Sequence, residues 1–181
     1  MKVKQTPIEG CFILQPQLFK DERGHIYESF NLSSFEKTIG QCVNFVQDNE
    51  SLSSKGVLRG LHFQKGEFAQ AKLVRVVKGS VQDVVVDMRP NSKTYGQYFS
   101  IELSEENRSQ LFIPRGLAHG FLVLENETIF CYKCDNFYNK EAESGILYND
   151  TSLAINWNTL EKDFIISKKD LMLPKFKEVE L

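Results

Sequence analysis

The strongest constraint on this chain is a succession of short β-forming runs, parted by turn residues, with very little helical periodicity. Residues 72–77 and 80–88 read as strands, and Gly79 between them makes a hairpin signal. In the second run Val81, Val84, Val85 and Val86 break strict alternation, which predicts a strand buried on both faces. Residues 95–103, 110–113, 120–124 and 128–134 read as further strands. Pro90-Asn91-Ser92, Ser104-Glu105-Glu106-Asn107, Pro114-Arg115-Gly116 and Glu125-Asn126-Glu127 separate them. Fourteen phenylalanines and an aromatic share of 12% suit half-buried pleated surfaces. A helix is expected from Phe35 to about Ile39, capped by Ser33 or Ser34 and ended by Gly40, with a short helical turn within 163–171. No helices of useful length alternate with the strands, so a parallel α/β sheet is excluded. The pattern predicts an all-β fold: a jelly-roll sandwich with a few short peripheral helices, one domain over residues 1–181.

Composition narrows the function classes. With 181 residues, 41% hydrophobic and 25% charged, the chain can bury a full core, and wholesale disorder is excluded. The 22 basic and 24 acidic residues give a net charge of −2, which argues against a general nucleic-acid binder. No apolar run is long enough to span a membrane, and Cys11-Phe12-Ile13-Leu14 is ended by Gln15 and Pro16. Neither a membrane span nor a signal peptide is expected, and the cytoplasm is the expected address.

The chain has three histidines: His25, His62 and His119. His62 stands in Arg59-Gly60-Leu61-His62-Phe63-Gln64, and His119 in Pro114-Arg115-Gly116-Leu117-Ala118-His119-Gly120-Phe121. Either histidine alone reads equally well as a satisfied structural residue. Two in similar glycine-flanked settings, each close to an arginine, favour a site. Arg59 and His62 point to opposite faces of a strand unless Gly60 bends it; a bulge there would aim both into one pocket. Lys72 lies inside an apolar run and belongs either to the solvent face, the default, or to a site. Tyr132 and Lys133 pose the same question.

Neither His62 nor His119 has a histidine two residues away, so no metal cluster is expected. Cys131-Tyr132-Lys133-Cys134 is a lone Cys-x-x-Cys whose sulfurs would face opposite sides of a strand, and Cys11 and Cys42 show no pairing spacing. All four are expected as ordinary packing cysteines. A Walker loop, a G-x-G-x-x-G and a G-x-S-x-G elbow are all missing from the sequence. What remains is a pocket of His, Lys, Tyr, Arg and carboxylates without a cofactor, a set that suits proton transfer beside a carbonyl.

The ordered motifs make the chain resemble the dTDP-4-dehydrorhamnose 3,5-epimerase family from about Gly10 to Asp170. They include Phe19-Lys20-Asp21-Glu22-Arg23-Gly24, Val46-Gln47-Asp48-Asn49, the Arg59 and His119 segments above, Gln70-Ala71-Lys72-Leu73-Val74 and Val84-Val85-Val86-Asp87-Met88-Arg89. Tyr132-Lys133, Asn149-Asp150 and Ser167-Lys168-Lys169-Asp170 complete the set. Leu117, where an aromatic residue is common, and Ser51-Leu52-Ser53-Ser54 depart from the pattern without touching the expected catalytic set.

The resemblance implies roles. His62 matches the catalytic base, Asp170 its carboxylate partner, and Tyr132 the proton donor on the opposite face. Lys72 and His119 match groups around the substrate's C4 oxygen, with Asp83 behind them. Arg59 matches a diphosphate-binding residue. Arg23 and Glu28 match residues that reach the nucleotide, often across a dimer interface. Gln47, Asp48 and Asn49 match a binding segment, and Tyr138, Glu143 and Lys169 further substrate contacts. Phe19 is either a stacking residue near the base or plain packing. The implied substrate is a dTDP-4-keto-6-deoxy sugar and the implied assembly a homodimer, with no metal, cofactor, nucleic-acid or membrane partner. A relative acting at one carbon, a non-catalytic sugar-nucleotide-binding jelly roll and a metal-dependent oxygenase are the alternatives. The presence of His62, Asp170 and Tyr132 disfavours the second and the lack of a histidine cluster the third.

Overall fold

The computed structural model describes residues 1–159 and 163–180. Its strands are β1 (Lys2–Gln5), β2 (Phe12–Gln15), β3 (Phe19–Asp21), β4 (Gly24–Ile26), β5 (Gln47–Ser53), β6 (Val57–Gln64) and β7 (Lys72–Lys78). They continue as β8 (Ser80–Asp87), β9 (Tyr98–Ser104), β10 (Gln110–Ile113), β11 (Leu117–Val123), β12 (Thr128–Cys134), β13 (Glu143–Gly145) and β14 (Ile165–Ile166). One sheet has the order β1-β2-β10-β7-β12-β5, and the other β13-β6-β11-β8-β9, with β14 beside β6. Among the described residues the β3–β4 hairpin pairs only with itself. This is the expected all-β sandwich.

The two sheets meet over one apolar layer. Val74, Val76 and Phe130 of the first pack with Val81, Val85 and Phe121 of the second, and the Phe121 and Phe130 rings stack at 4.1 Å. Both sheets are also covered outside. Helix α1 (Leu32–Ile39) sets Phe35 against Leu14, Leu73 and Phe112. On the other sheet Leu153 packs with Val84 and Val86, and Trp157 and Phe176 lie against them. Hence every residue of β8 is buried, the reason its valines ignore period-two alternation.

Some boundaries differ from the sequence reading. The cap of α1 is Asn31, whose side chain accepts from the Ser34 N–H at 3.1 Å, not Ser33 or Ser34; asparagine and serine cap equally well, so composition could not choose. Residues 95–97 form a turn rather than strand, because Tyr95 and Gln97 donate back to Ser92 and Thr94. β11 starts at Leu117, three residues earlier than expected, and so carries His119 inside the sheet. The helical turn expected within 163–171 is a 3₁₀ turn at Asp170–Met172, preceded by β14. Among the described residues no helix is long and apolar enough to cross a membrane.

Gly60 is the joint that positions the site. The β6–β11 register runs His62 to His119 and then Arg59 to Phe121, so β6 is irregular between them, as a bulge at Gly60 requires. Gly60 has φ +112°, and a Cβ there would lie 2.6 Å from Gly120 Cα and 2.7 Å from the His119 carbonyl oxygen. Arg59 and His62 thereby both line one cleft.

All four cysteines are free, and they are not alike: Cys11 and Cys134 are buried, Cys131 half-buried and Cys42 exposed. The packing expectation therefore fails for Cys42. Burial pushes the Cys11 thiol up to about 12 and that of Cys134 up to about 11.

Three outcomes are expected. Gly60→Ala should lower unfolding free energy by on the order of 3 kcal/mol in urea titrations, from positive φ and the clash with β11. Gly40→Ala, also at positive φ but facing open space, should cost about 1 kcal/mol. Alkylation at pH 8 followed by mass spectrometry should label Cys42 in the native protein, and Cys11 and Cys134 only after unfolding.

Candidate active site

The cleft between the sheets has a volume of about 580 Å³. β6 supplies Arg59 and His62, β11 supplies His119, and from the opposing sheet β7 supplies Lys72 and β12 Tyr132. Lys169 and Asp170 arrive from the C-terminal 3₁₀ turn. His62 and His119 are direct cross-strand partners, so their side chains stand on the same face.

His62 Nε2 lies 2.7 Å from Asp170 Oδ1, and Asp170 Oδ2 accepts from the Gly60 N–H at 3.3 Å. Burial works against the Asp170 carboxylate, but the hydrogen bond and charge of His62, with the Gly60 N–H, outweigh it and hold the group below the usual carboxylate range. An ionised Asp170 can only accept. His62 therefore donates from Nε2, which leaves the lone pair of the neutral ring on Nδ1.

His119 repeats the arrangement deeper in the sandwich. Its Nε2 is 2.8 Å from Asp83 Oδ2. Asp83 is fully buried, and its Oδ1 has no hydrogen-bond partner among the described residues. Burial pushes the Asp83 carboxyl up despite the opposing pull of His119 and Lys72. Lys72 is in the site, not on the solvent face. Burial of its ammonium pulls its pKa below the lysine value, against the raising effect of Cys134, Asp83 and Glu143. Its Nζ lies 6.0 Å from the centroid of the Tyr132 ring. Burial raises the Tyr132 phenol, so the side chain is a protonated donor at neutral pH.

Arg59 lies exposed at the mouth and donates to Ser53 Oγ at 3.1 Å. A smaller side chamber of about 100 Å³ adjoins His62, Lys72 and Tyr132 and reaches Gln47, Asn49, Tyr138 and Glu143. Gln47 accepts from the Tyr138 N–H at 3.1 Å and donates to Asn49 at 3.0 Å. Tyr138 and Lys169 both donate to Glu143 Oε2.

Four of the expected residues are not brought to this cleft. Strand alternation turns Asp48 to the other face of β5, where Lys133 Nζ holds it at 2.8 Å. Phe19 and Arg23 sit on the β3–β4 hairpin, with Phe19 55% exposed and Arg23 paired to Asp21. Glu28 follows the hairpin and accepts from Asn31 at 3.1 Å. Conversely, Gln64 and Gln70 line the side chamber unassigned. Gln64 donates to the Asn139 carbonyl at 3.0 Å, and Gln70 to that of Asn136 at 2.8 Å. Gln64 stands two residues from His62 on one strand, a spacing that could have flagged it. Among the described residues, no group of three or more His, Cys, Asp or Glu side chains is placed to hold a metal ion.

The family model described as dTDP-4-dehydrorhamnose 3,5-epimerase matches residues 5–178. A dTDP-4-dehydrorhamnose 3,5-epimerase from Escherichia coli is 53% identical over 170 residues, covering 94% of this chain and 91% of the relative. The crystal structure of a dTDP-4-dehydrorhamnose 3,5-epimerase from Elizabethkingia anophelis gives a TM-score of 0.95 at 53% identity, covering 98% of this chain and 97% of that one. A dTDP-6-deoxy-D-glucose-3,5-epimerase from Legionella pneumophila, solved with dTDP-4-keto-L-rhamnose, gives a TM-score of 0.95 at 44% identity, covering 99% and 94%. With nearly the whole length of the chain matched in sequence and in fold, it belongs to the dTDP-4-dehydrorhamnose 3,5-epimerase family.

Proposed function

We propose that this chain is an isomerase that converts dTDP-4-dehydro-6-deoxy-D-glucose to dTDP-4-dehydro-L-rhamnose, within dTDP-L-rhamnose biosynthesis, by moving protons at C3 and C5. The observation that carries the reading is the opposed placement of acid and base. The His62–Asp170 pair stands on the β6 wall, and Tyr132 and Lys72 stand on the wall across the cleft.

The chemistry follows from the substrate. Its C4 ketone acidifies the protons on both neighbouring carbons. His62 removes one, and Asp170 stabilises the imidazolium that forms and holds the ring's orientation. Negative charge then develops on the C4 oxygen, where Lys72 donates, joined by His119 through Nδ1 when both of its ring nitrogens carry protons; one such donor is worth about 3 kcal/mol in a water-poor site. Burial loosens the Lys72 proton, which suits a donor to an enolate, and Asp83 fixes His119 from behind. Tyr132 returns a proton to the face opposite His62. The product of each round has inverted configuration, and a second round at the other carbon completes the double epimerisation. Arg59 at the mouth offsets diphosphate charge, and Gln47, Asn49, Tyr138, Glu143 and Lys169 line the approach.

The reading takes the chain as a single domain, cytoplasmic, working as a homodimer. Phe19, Arg23 and Glu28, remote from their own cleft, serve the nucleotide in the partner's, and of the binding segment Gln47 and Asn49 face the substrate while Asp48 pairs with Lys133 on the other face of β5.

The test is incubation with dTDP-4-dehydro-6-deoxy-D-glucose in D₂O without added metal or cofactor, followed by NMR. Deuterium is expected at C3 and C5. Deuterium at one carbon would mean a single-site epimerase, and none at either would sink the reading. His62→Ala should reduce turnover by about 10³-fold or more while dTDP binding is retained; near-normal turnover would remove His62 as the base. Tyr132→Phe should depress net epimerisation more than proton exchange, and a parallel fall of both would mean that Tyr132 is not the donor.

A further inference from the structure

Asp170 belongs to a stretch that the fold holds lightly. Upstream, β14 pairs with β6, Ile165 beside Val57 and Ile166 beside Leu58. Downstream, the Leu147 N–H donates to the Pro174 carbonyl at 2.8 Å. Between these anchors Leu171 and Met172 are 50% and 83% exposed, so packing does little to fix the turn. Among the described residues, two side chains tie residues 167–172 to the rest of the fold by hydrogen bonds. One is Asp170, to His62 and Gly60; the other is Lys169, to Glu143.

Glu143 is well placed to act as a fixed post. It lies on β13, whose Gly145 is the direct cross-strand partner of His62, with Glu143 opposite Gln64. Its side chain therefore emerges on the same face as His62, one diagonal step away. β13 can approach this closely because residue 145 is glycine: a Cβ there would be 2.4 Å from the Leu61 carbonyl oxygen. Burial works against the Glu143 carboxylate, but Lys169 and Tyr138 outweigh it and hold the group below the ordinary glutamate range. The second donor, the Tyr138 hydroxyl at 2.6 Å, draws the loop after β12 into the same knot.

We propose that Glu143 is a positioning residue for the base: through Lys169 it sets where Asp170 stands, and through Asp170 it sets the imidazole of His62. The inference rests on the epimerase reading for its catalytic consequence. Lys169 itself is 61% exposed, so the pair is worth little as a salt bridge. Its effect is geometric, since a misplacement of about 1 Å in a proton-transfer pair costs up to a hundredfold in rate. A role limited to touching the sugar would act on substrate affinity instead.

The experiment compares Glu143→Gln, Lys169→Met, the two combined, and the charge-reversed pair Glu143→Lys with Lys169→Glu. Each single variant should lower kcat roughly ten- to a hundredfold, beyond any rise in KM from the substrate contacts that Glu143 and Lys169 make. The combined variant should lose no more than either single, and the reversed pair should recover most of the loss. In substrate-free protein the His62 ring N–H proton resonance, identified as the one that Asp170→Asn removes, should broaden in the single variants and sharpen in the reversed pair. A raised KM with kcat and the resonance unchanged would overturn the proposal, as would a reversed pair that restores neither. If the wild-type protein fails to turn over the 4-keto sugar, the substrate reading fails, and the resonance pattern still decides the positioning role.

Discussion

His62 and Asp170 are 108 residues apart in sequence and 2.7 Å apart in space, and much of the architecture is what brings them together. β6 has to bend at Gly60 so that the histidine faces the cleft while the Gly60 N–H is free to meet the carboxylate. β11 has to come close enough to press Gly120 against that bend. The chain after Asp163 has to return along β6 as β14 and then turn at once. None of these steps is a local preference. The outer faces close around this arrangement, with Leu61, Ile146 and Leu153 buried on one side and Phe35 and Phe112 on the other.

The same packing decides the electrostatics. Lys72, Asp83, His119 and Tyr132 sit between two apolar layers, so desolvation is the largest influence on Lys72, Asp83 and Tyr132. It pulls the lysine down and pushes the carboxyl and the phenol up, each toward its neutral form. A dry interior would reject these groups singly. Asp83 lies beside His119, and Lys72 is close enough to pull on its carboxyl. At the rim, where Arg59 and Lys169 reach solvent, charge is tolerated freely. The cleft thus grades from an exposed cationic mouth to a buried set of proton donors and acceptors, an order that suits a substrate with a charged diphosphate at one end and a keto sugar at the other.

Legibility in the sequence followed the physics of each element. β7, β8, β10 and β12 could be read because their side chains are apolar and β-branched or aromatic. β5, Gln47-Asp48-Asn49-Glu50-Ser51-Leu52-Ser53, is an edge strand with an alternating exposed face, and nothing in its polar composition distinguishes it from a loop. The bulge at Gly60 settles what the sequence left conditional, whether Arg59 and His62 share a face. Asp48 could have been separated from Gln47 and Asn49 by alternation alone, had β5 been recognised. Motif resemblance singled out Glu143 and Lys169, but their bond to each other joins residues 26 apart, and it exists only once β13 and the C-terminal turn have been folded onto the same strand.

The β3–β4 hairpin is the part of the chain that its own fold explains least. Among the described residues it pairs with neither large sheet, and an isolated two-stranded hairpin is marginal in water. Its exposed side chains include Phe19 at 55% and Ile26 at 73%, apolar surface that a free hairpin gains nothing by presenting. β5, at the end of the first sheet, has one edge unpaired among the described residues, and its Leu52 is 66% exposed. A hairpin short of partners and a strand edge short of one are complementary deficits, and two copies of the chain can satisfy both at once. Such an exchange would carry Arg23 and Glu28 toward the strand that ends at Ser53, and Ser53 is the residue to which Arg59 donates at the mouth of the cleft.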